Sequence, residues 1–253
     1  MINRIKDYLE LKLNIVEWIK SYADDNNIKS LVAGVSGGID SAVTSTLAAE
    51  TGLITYCIGM PLHQKKDQED LSDIHLSWLG DTYWEVKTEK FDLTNLFDTF
   101  QTTLRNYGED KLALANSRSR LRMSTLYQVA QTVGGIVVGT GNKVEDYGIG
   151  FFTKYGDGGV DIAPIADLYK TEVWELGKHL NINERIINAA PTDGLWEDGR
   201  TDEDQIGVSY SQLEEAMEHG TGPGLETLEY FNKQNQHKMQ PIPTFKLGGN
   251  DND

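Results

Sequence analysis

Cysteine and positive charge are both scarce in this sequence. Cys57 is the one cysteine among 253 residues, so an internal disulfide is excluded. It lies in the apolar run LITYCIGM, a setting that favours a small buried side chain over a reactive nucleophile. This use of cysteine is typical of a reducing compartment.

Long hydrophobic runs are also missing. No stretch reaches the length of apolar sequence that a helix needs to cross a bilayer. The first residues, MINRIKDYLELKL, lack the apolar core and the small-residue cleavage site of a signal peptide. We therefore expect a soluble cytoplasmic protein with no membrane partner.

The charge balance is strongly acidic, with 23 Lys and Arg against 39 Asp and Glu and a net charge of −16. Nucleic-acid and anionic-membrane surfaces depend on accumulated positive charge, so no nucleic-acid partner is expected. A phosphorylated ligand would need a local basic pocket within an acidic surface.

Strand-like and helix-like segments alternate along the first half of the chain. An amphipathic helix is predicted at 2–23, β-rich runs at 30–35, 54–60, 82–87 and 135–140, and helices between them at 40–51, 67–79, 91–105 and 112–132. This order predicts an α/β fold, a doubly wound parallel sheet with helices on both faces. Helices are also predicted in LYKTEVWELGKHL and SYSQLEEAMEHG, with a mobile loop at 193–206 between them. We expect a single domain over 1–253, with 248–253 as a disordered tail.

The segment GVSGGIDS, residues 34–41, follows the first predicted strand and opens the next helix. It fits neither the Walker pattern nor GxGxxG. Gly37 and Gly38 permit positive φ and a close approach of phosphate oxygens, while Ser36 and Ser41 offer hydroxyl donors. Because helix N-termini attract anions and doubly wound sheets bind ligands at strand ends, the segment predicts a polyphosphate cradle.

Asp40 is the unusual member of that cradle. A carboxylate beside a polyphosphate repels it unless a cation lies between them, so Asp40 predicts Mg²⁺. The alternative is that Asp40 is an ordinary acid of the first helical turn and that the glycines only serve the bend.

The motif SGGIDS resembles the pyrophosphate-binding loop of the N-type ATP pyrophosphatases, a superfamily that includes GMP synthetase, asparagine synthetase, argininosuccinate synthetase and NAD synthetase. Residues 139–170, GTGNKVEDYGIGFFTKYGDGGVDIAPIADLYK, resemble the NAD synthetase signature nearly from end to end. The resemblance continues in order through 190–210 and the pair His237-Lys238. It implies an adenine nucleotide alpha hydrolase-like, Rossmann-like fold. It also implies Mg²⁺-dependent amidation of deamido-NAD, with ATP and ammonia as the other substrates, AMP and pyrophosphate as products, and a homodimer as the working form.

The resemblance also assigns roles to individual residues of the nucleotide site. The implied ATP contacts are Gly34, Val35, Ser36, Gly37, Gly38, Ile39, Asp40, Ser41, Thr140, Lys170 and Thr192. Asp40 and Glu145 are implied to hold Mg²⁺ from two adjacent strand ends. Lys170 would offset the repulsion between phosphates, and Asp40, Lys170 and Asp161 are the implied catalytic residues.

For the dinucleotide substrate the resemblance implies Arg120, Lys154, Asp161, His237 and Lys238. Arg and Lys suit its pyrophosphate and carboxylate, and Asp161 suits a ribose hydroxyl or the ammonium ion. Each residue also has an ordinary interpretation. Taken singly, the lysines could be solvated surface groups, Glu145 an exposed helical acid and His237 a surface histidine.

Two short segments depart from the family pattern. The usual Asn-x-Lys-Ala-Arg is Asn116-Ser117-Arg118-Ser119-Arg120 here, which keeps the charge and changes the donor geometry. Met239 follows Lys238 where the family often has Arg.

The nitrogen donor is expected to be free ammonia. A glutaminase unit needs a nucleophilic cysteine with acid–base partners and a few hundred further residues, and Cys57 lies in a predicted strand. Two rival functions stay open at this stage, another N-type ATP pyrophosphatase with a different acceptor and a non-catalytic ATP-binding sensor. The acidic charge and the absence of a CxxC pair disfavour a tRNA-thiolating enzyme.

Overall fold

The computed structural model describes residues 4–107, 110–192 and 201–247. The predicted tail at 248–253 and residues 193–200 of the predicted mobile loop lie outside these ranges.

The centre of the described structure is a parallel sheet of four strands, in the order β3-β2-β1-β4. The strands are β1 (Ser30–Gly34), β2 (Ile54–Gly59), β3 (Val86–Lys90) and β4 (Gly135–Val137). The first three run outward in chain order, and β4 then returns to the other side of β1. The carboxyl ends of β1 and β4 therefore flank the point where the strand order reverses, which is where doubly wound sheets bind ligands.

Helices connect and cover the strands, with the bounds α1 (Tyr8–Asp25), α2 (Ile39–Glu50), α3 (Lys66–Thr82), α4 (Thr94–Thr103), α5 (Lys111–Val133), α6 (Lys170–His179), α7 (Glu184–Ile187), α8 (Asp202–Ile206), α9 (Tyr210–His219) and α10 (Leu225–Met239). A single-turn π-helix, Val144–Ile149, follows β4. It belongs to the stretch in which the family signature was identified.

Both faces of the sheet are buried, as predicted. Along β1 the side chains alternate, with Leu31 packed against α1, α2 and α6 and Val32 packed against α5. On β2, Ile58 joins the α5 side, whereas Cys57 packs against α3 as a buried free thiol. The predicted fold class, a doubly wound α/β sheet with helices on both faces, is confirmed.

Several boundaries differ from the prediction. The third strand begins at Val86, not at residue 82, because α3 continues to Thr82 with Leu79 fully buried on its inner face. The fourth strand ends at Val137. The fully buried Val138 beyond it forms an isolated bridge with Ile162.

The carboxyl-terminal third contains more helix than was predicted. Residues 202–206 were predicted to be part of a mobile loop, but they form α8, with a Thr201–Asp204 capping box and a buried Ile206. The helices α7 and α10 were not predicted. In α10 no residue is fully buried, so its sequence carries only a weak amphipathic signal.

Among the described residues, no helix combines the length and apolar character needed to span a membrane.

Candidate active site

The bend between β1 and α2 is built around Gly37. Its φ is +90°, and a Cβ atom at this position would lie 2.8 Å from the Gln68 carbonyl oxygen and 2.9 Å from the Ser72 amide nitrogen. Only glycine meets both demands. Gly38 has φ −82°, so the prediction of a permitted positive φ is confirmed at Gly37 and not used at Gly38.

Two serines fix the shape of this bend. The Ser36 amide donates to Ser41 Oγ at 3.2 Å, and Ser41 Oγ donates to the Gly38 carbonyl at 2.9 Å. Gly38 is the N-cap of α2, and within the described ranges no side chain caps this helix. The first-turn amides of α2 are thus a positively polarised surface suited to an anion.

The neighbouring helix α3 contacts both the bend and α2. Ser72 Oγ donates to the Val35 carbonyl at 2.7 Å. His75 Nε2 lies 3.0 Å from Ser45 Oγ and 3.2 Å from the Ala42 carbonyl oxygen. Burial lowers the pKa of His75 to about 4, so the ring is neutral and accepts or donates within the α2–α3 interface.

Above the bend, Lys170 bridges two carboxylates. Its Nζ donates to Asp40 Oδ2 at 2.5 Å and to Glu145 Oε1 at 3.0 Å. The Lys170 side chain is 3% exposed, compared with 17% for Asp40 and 16% for Glu145. The structure therefore brings together the three residues that the sequence predicted for the phosphates and the metal.

The sheet topology explains why residues so distant in sequence meet here. Asp40 lies in the first turn of α2 after β1, and Glu145 lies in the π-helix after the adjacent strand β4. Lys170 is the first residue of α6, whose N-terminus is fixed by Glu214 bonding the Thr171 amide at 2.9 Å and by Glu172 accepting from the Tyr169 amide at 2.8 Å.

Electrostatics keep Lys170 charged. Burial opposes its charge, but the negative charges of Asp40, Glu145 and Asp202 outweigh this and raise the pKa of the ammonium group. Burial also raises the pKa of Asp40, an effect that the Lys170 ammonium counteracts. The cluster is an ion triad, and the charge of its single cation is fully used by its two carboxylates.

Sequence reasoning missed three residues that complete this triad. Asn142 Nδ2 donates to Asp40 Oδ1 at 3.2 Å. The Tyr210 hydroxyl lies 2.7 Å from Glu145 Oε1 and 3.2 Å from Asp202 Oδ2, and the Lys170 ammonium lies 4.8 Å from the centre of its ring. Burial and the adjacent carboxylates raise the pKa of Tyr210, so it stays a neutral donor. Asn142 could have been found, since it lies in the strand-end segment GTGNKVED, whereas nothing in GVSY distinguishes Tyr210 from a core tyrosine.

Asp146 is a further acid at this strand end. Its carboxylate packs against Gly141, where any Cβ atom would collide with it. Burial, followed by the charges of Glu145, Asp157 and Asp40, raises the pKa of Asp146 to about 7.

A second group of predicted residues gathers around the segment 151–160. Arg120 Nε donates to the Lys154 carbonyl at 3.2 Å, and Lys154 Nζ donates to the His237 carbonyl at 3.2 Å. Lys238 Nζ donates to the Phe152 carbonyl at 2.8 Å and lies 5.0 Å from the centre of its ring. Arg120, Lys154 and His237 are thus linked by hydrogen bonds, and Lys238 contacts Phe152 of the same segment.

The turn at 156–159 is held by the carboxylate of Asp157. Asp157 Oδ1 accepts from Ser119 Oγ at 2.6 Å and from the Thr153 amide at 3.1 Å. Thr153 Oγ1 in turn donates to Asn116 Oδ1 at 2.6 Å. Ser119 of α5, where the family pattern has alanine, therefore has a hydrogen-bond partner in the GDGG turn.

Asp161 lies apart from both groups in its described contacts. Its Oδ2 accepts from the Val137 amide at 2.7 Å, and its Oδ1 accepts from the Tyr127 hydroxyl at 3.1 Å. Asp161 thus satisfies the outer amide of the edge strand β4, and the residue is exposed.

The two predicted threonines lie next to segments that contact the triad. Thr140 is two residues before Asn142, in the segment after β4. Thr192 follows Pro191, whose carbonyl accepts from the Asp202 amide at 2.9 Å.

Comparison with known families matches residues 11–242 to NAD synthase. An NH(3)-dependent NAD(+) synthetase from Carboxydothermus hydrogenoformans is 40% identical over 240 residues, covering 89% of this chain and 91% of that protein.

Two solved structures have the same fold over nearly the whole chain. An NMN synthetase from Francisella tularensis is 30% identical with a TM-score of 0.90, covering 96% of this chain and all of that one. An NH3-dependent NAD synthetase from Campylobacter jejuni is 24% identical with a TM-score of 0.76 and the same coverage.

Proposed function

Since the chain belongs to the NAD synthase family, we propose that it catalyses the ATP-dependent amidation of deamido-NAD by ammonia. The reaction yields NAD, AMP and pyrophosphate. The observation that carries this proposal is the ion triad of Asp40, Glu145 and Lys170 beside an uncapped helix N-terminus at the topological switch point.

The chemistry requires activation of the acceptor. Ammonia cannot displace oxide from a carboxylate, so an oxygen of the nicotinate carboxylate first attacks the α-phosphorus of ATP, and the bond to pyrophosphate breaks. The lone pair of ammonia then adds to the acyl carbon, AMP leaves with the electrons of the carbon–oxygen bond, and nitrogen loses a proton. Both steps depend on holding anions in line and stabilising charge, tasks of positioning and electrostatics.

The residues of the bend suit the departing pyrophosphate. The first-turn amides of α2 and the hydroxyls of Ser36 and Ser41 converge at the switch point. The Lys170 ammonium lies at the same place, paired with Asp40 and Glu145. The predicted ATP contacts from Gly34 to Ser41 form one continuous element, which supports a shared role.

Mg²⁺ is the proposed metal, and the donor set fits it. Asp40 and Glu145 offer hard carboxylate oxygens that already share one cationic group. In the ranges that the structure describes, no cluster of three or more His, Cys, Asp or Glu residues could hold a metal. Two carboxylates with ligand oxygens completing the shell are typical of Mg²⁺ with a nucleotide. When bound, the ion would neutralise charge on the phosphates.

The acceptor is proposed to lie near Arg120, Lys154, His237 and Lys238. Lys154 and Lys238 donate to backbone carbonyls, which are neutral, so their positive charges stay available to phosphate or carboxylate groups. Asp161 is the proposed contact of a ribose hydroxyl or of ammonium, a role that requires an exposed carboxylate. Its exposure supports that role, while its bonds to Val137 and Tyr127 limit its reach.

Ammonia is the proposed direct donor of nitrogen. The matching relative from Carboxydothermus is an ammonia-dependent enzyme whose length this chain nearly covers. We expect ammonium chloride to support full turnover of the purified chain and glutamine to support little. Efficient turnover on glutamine alone would contradict this assignment.

A second acceptor is favoured by one observation, the high structural similarity to an NMN synthetase. Such an enzyme makes the mononucleotide amide, so its acceptor is nicotinate mononucleotide. Both acceptors present the same carboxylate and differ in whether a second nucleotide is attached. The bend and the triad serve either one.

The decisive experiment is an acceptor comparison. The enzyme is incubated with ATP, Mg²⁺ and ammonium, together with either deamido-NAD or nicotinate mononucleotide. Pyrophosphate release and the mass of the nucleotide product are measured. We expect pyrophosphate only when an acceptor is present, with a higher kcat/KM for deamido-NAD. A higher kcat/KM for the mononucleotide would select the second candidate, and binding of ATP without any pyrophosphate release would refute both.

We also propose that the working form is a homodimer in the cytoplasm, where ATP is supplied. The support for the dimer is the family resemblance. Light scattering after size-exclusion chromatography should give twice the chain mass of 28.3 kDa, and a mass of one chain at assay concentrations would contradict the proposal.

A further inference from the structure

The Lys170 ammonium occupies the position between the two carboxylates that are proposed to hold a metal. It lies within hydrogen-bond distance of both Asp40 and Glu145 and is almost completely removed from water. A dication and an ammonium group cannot both bind the same two oxygens, because the two cations repel each other and compete for the same lone pairs.

The backbone of Lys170 is fixed, so any exchange must involve its side chain alone. Glu214 bonds both the amide and the hydroxyl of Thr171, at 2.9 and 2.7 Å. Arg4 holds Glu172 at 2.7 Å from the other side. The four-carbon stem of Lys170 has several rotatable bonds through which its ammonium can move, and the Tyr210 ring beside it is a second attractive surface for the ammonium.

We propose that Lys170 is an internal counter-ion that closes the Asp40–Glu145 pair to free divalent metal and releases it only when a polyphosphate accepts the ammonium. The cleft thus takes metal together with nucleotide and discriminates against metal alone. This inference rests on the proposed magnesium site and adds an order of events that the family assignment does not contain.

The charge count supports this arrangement. The two carboxylates and Lys170 together have a net charge of about −1. Asn142 and Tyr210 donate hydrogen bonds to the carboxylate oxygens. An incoming polyphosphate provides several negative oxygens for the ammonium, which frees both carboxylates at once.

The test measures binding of Mn²⁺ alone, without nucleotide, by electron paramagnetic resonance of the free ion. Wild-type protein should bind Mn²⁺ weakly at this site. The Lys170→Met variant, which keeps most of the stem and removes the charge, should bind it about tenfold more tightly or better. Lys143→Met is the matched control. It also removes one positive charge, two residues before Glu145 in the chain, but Lys143 pairs with Asp167 at 2.8 Å and not with Asp40 or Glu145. It should gain much less.

A non-hydrolysable ATP analogue should reverse the pattern. With it present, wild-type protein should gain strong Mn²⁺ affinity, whereas Lys170→Met should gain little beyond its metal-only value. Adding Glu145→Gln to Lys170→Met should remove the tight site. Equal Mn²⁺ affinity of wild type and Lys170→Met without nucleotide would overturn the inference.

Stability provides a second measurement if Lys170→Met folds poorly. Two buried carboxylates without their cation should lower the melting temperature, and Mn²⁺ should restore it more in Lys170→Met than in wild type or Lys143→Met. Restoration that is equal in all three would contradict the proposal. Failure of this inference leaves pyrophosphate release by the wild type intact, whereas failure of the proposed function abolishes that release, so the two are distinguishable.

Discussion

The triad at the switch point and the group around segment 151–160 use positive charge in opposite ways. In the first, Lys170 is paired with two carboxylates and buried, so its charge is spent inside the protein. In the second, Lys154 and Lys238 donate to carbonyl oxygens and keep their net charge. The comparison teaches that the first region must rearrange to take a ligand, whereas the second is ready to attract an anion.

This difference agrees with the proposed division of labour. The nucleotide site handles a highly charged polyphosphate with a metal and benefits from a closed resting state. The acceptor site must collect a dilute anionic dinucleotide on a chain whose net charge is −16, and two partly buried lysines that donate to neutral carbonyls provide a local attraction.

Replacing Asp40 of the triad should have the largest effect on activity. Asp40→Asn keeps the side-chain volume and removes the charge proposed to hold the metal, so we expect kcat to fall by about a hundredfold or more. Steady-state pyrophosphate release measures this. The melting temperature should change far less, because Lys170 keeps its contact with Glu145.

The control for Asp40→Asn is Glu10→Gln, which removes an acid from the first turn of α1. If Asp40 only favours the positive end of a helix, both variants should lose the same small stability, with little loss of activity. Parallel losses of activity and stability in Asp40→Asn would return Asp40 to that ordinary role.

Removing a cation of the second region should have a smaller and different effect. Lys238→Met keeps the packing on Phe152 and removes the charge, so we expect KM for the acceptor to rise about tenfold with a minor change in kcat. KM for ATP should stay close to that of the wild type. Lys233→Met, on the same helix, is the matched control.

An equal rise in KM for ATP and for the acceptor would break the comparison, since it would mean that both regions serve one ligand. High salt should weaken acceptor binding in the wild type and have less influence in Lys238→Met, because salt screens the attraction between Lys238 and the acceptor and the variant lacks that charge.

Tyr210, whose hydroxyl donates to Glu145 of the triad, allows a finer test of the same comparison. Tyr210→Phe removes only the hydroxyl that lies 2.7 Å from Glu145, and a hydrogen bond to a charged group contributes about 1.5–3 kcal/mol. We expect the unfolding free energy to fall by about that amount and the Mg²⁺ concentration for half-maximal activity to rise several-fold. Denaturant unfolding and a magnesium titration measure the two effects, and an unchanged magnesium dependence would limit Tyr210 to packing.

Much of this site could be predicted because its residues belong to motifs. Asp40 and Glu145 lie in the first turns of helices that follow β1 and β4, and adjacent parallel strands bring such helix starts together. Lys170 is 130 residues from Asp40 and was identified only through the family signature.

Other features had no local signal. Asp202 lies within the segment predicted to be a mobile loop and Tyr210 follows it, and their burial depends on packing between α8, α9 and the π-helix. The helix α10 was missed because its inner side is only partly buried, so polar residues such as Asn232 and Asn235 bond carbonyls of the π-helix in place of an apolar stripe.

The smallest expected effect on activity concerns His75 of α3, which contacts Ser45 and Ala42 of α2. In the folded chain burial lowers the pKa of His75 to about 4, whereas an unfolded histidine titrates near its ordinary 6.5. The folded state therefore binds fewer protons between these values, and the contribution of His75 to stability is complete above about pH 6.5 and is lost as the pH falls towards 4. That contribution is on the order of 3 kcal/mol over the whole window.

Denaturant unfolding at pH 7.5 and pH 5 measures this effect in wild type and in His75→Gln, whose amide can still donate to the Ala42 carbonyl. We expect His75→Gln to lose less stability between the two pH values than wild type does, with pyrophosphate release at pH 7.5 nearly unchanged. His219→Gln, at the exposed end of α9, should behave as the wild type. If His75→Gln keeps the wild-type pH dependence, the acid sensitivity comes from the carboxylates of the triad. In that case the packing of His75 against α2 does not depend on its protonation. The triad and the group around segment 151–160 then differ only in the groups that face the ligands.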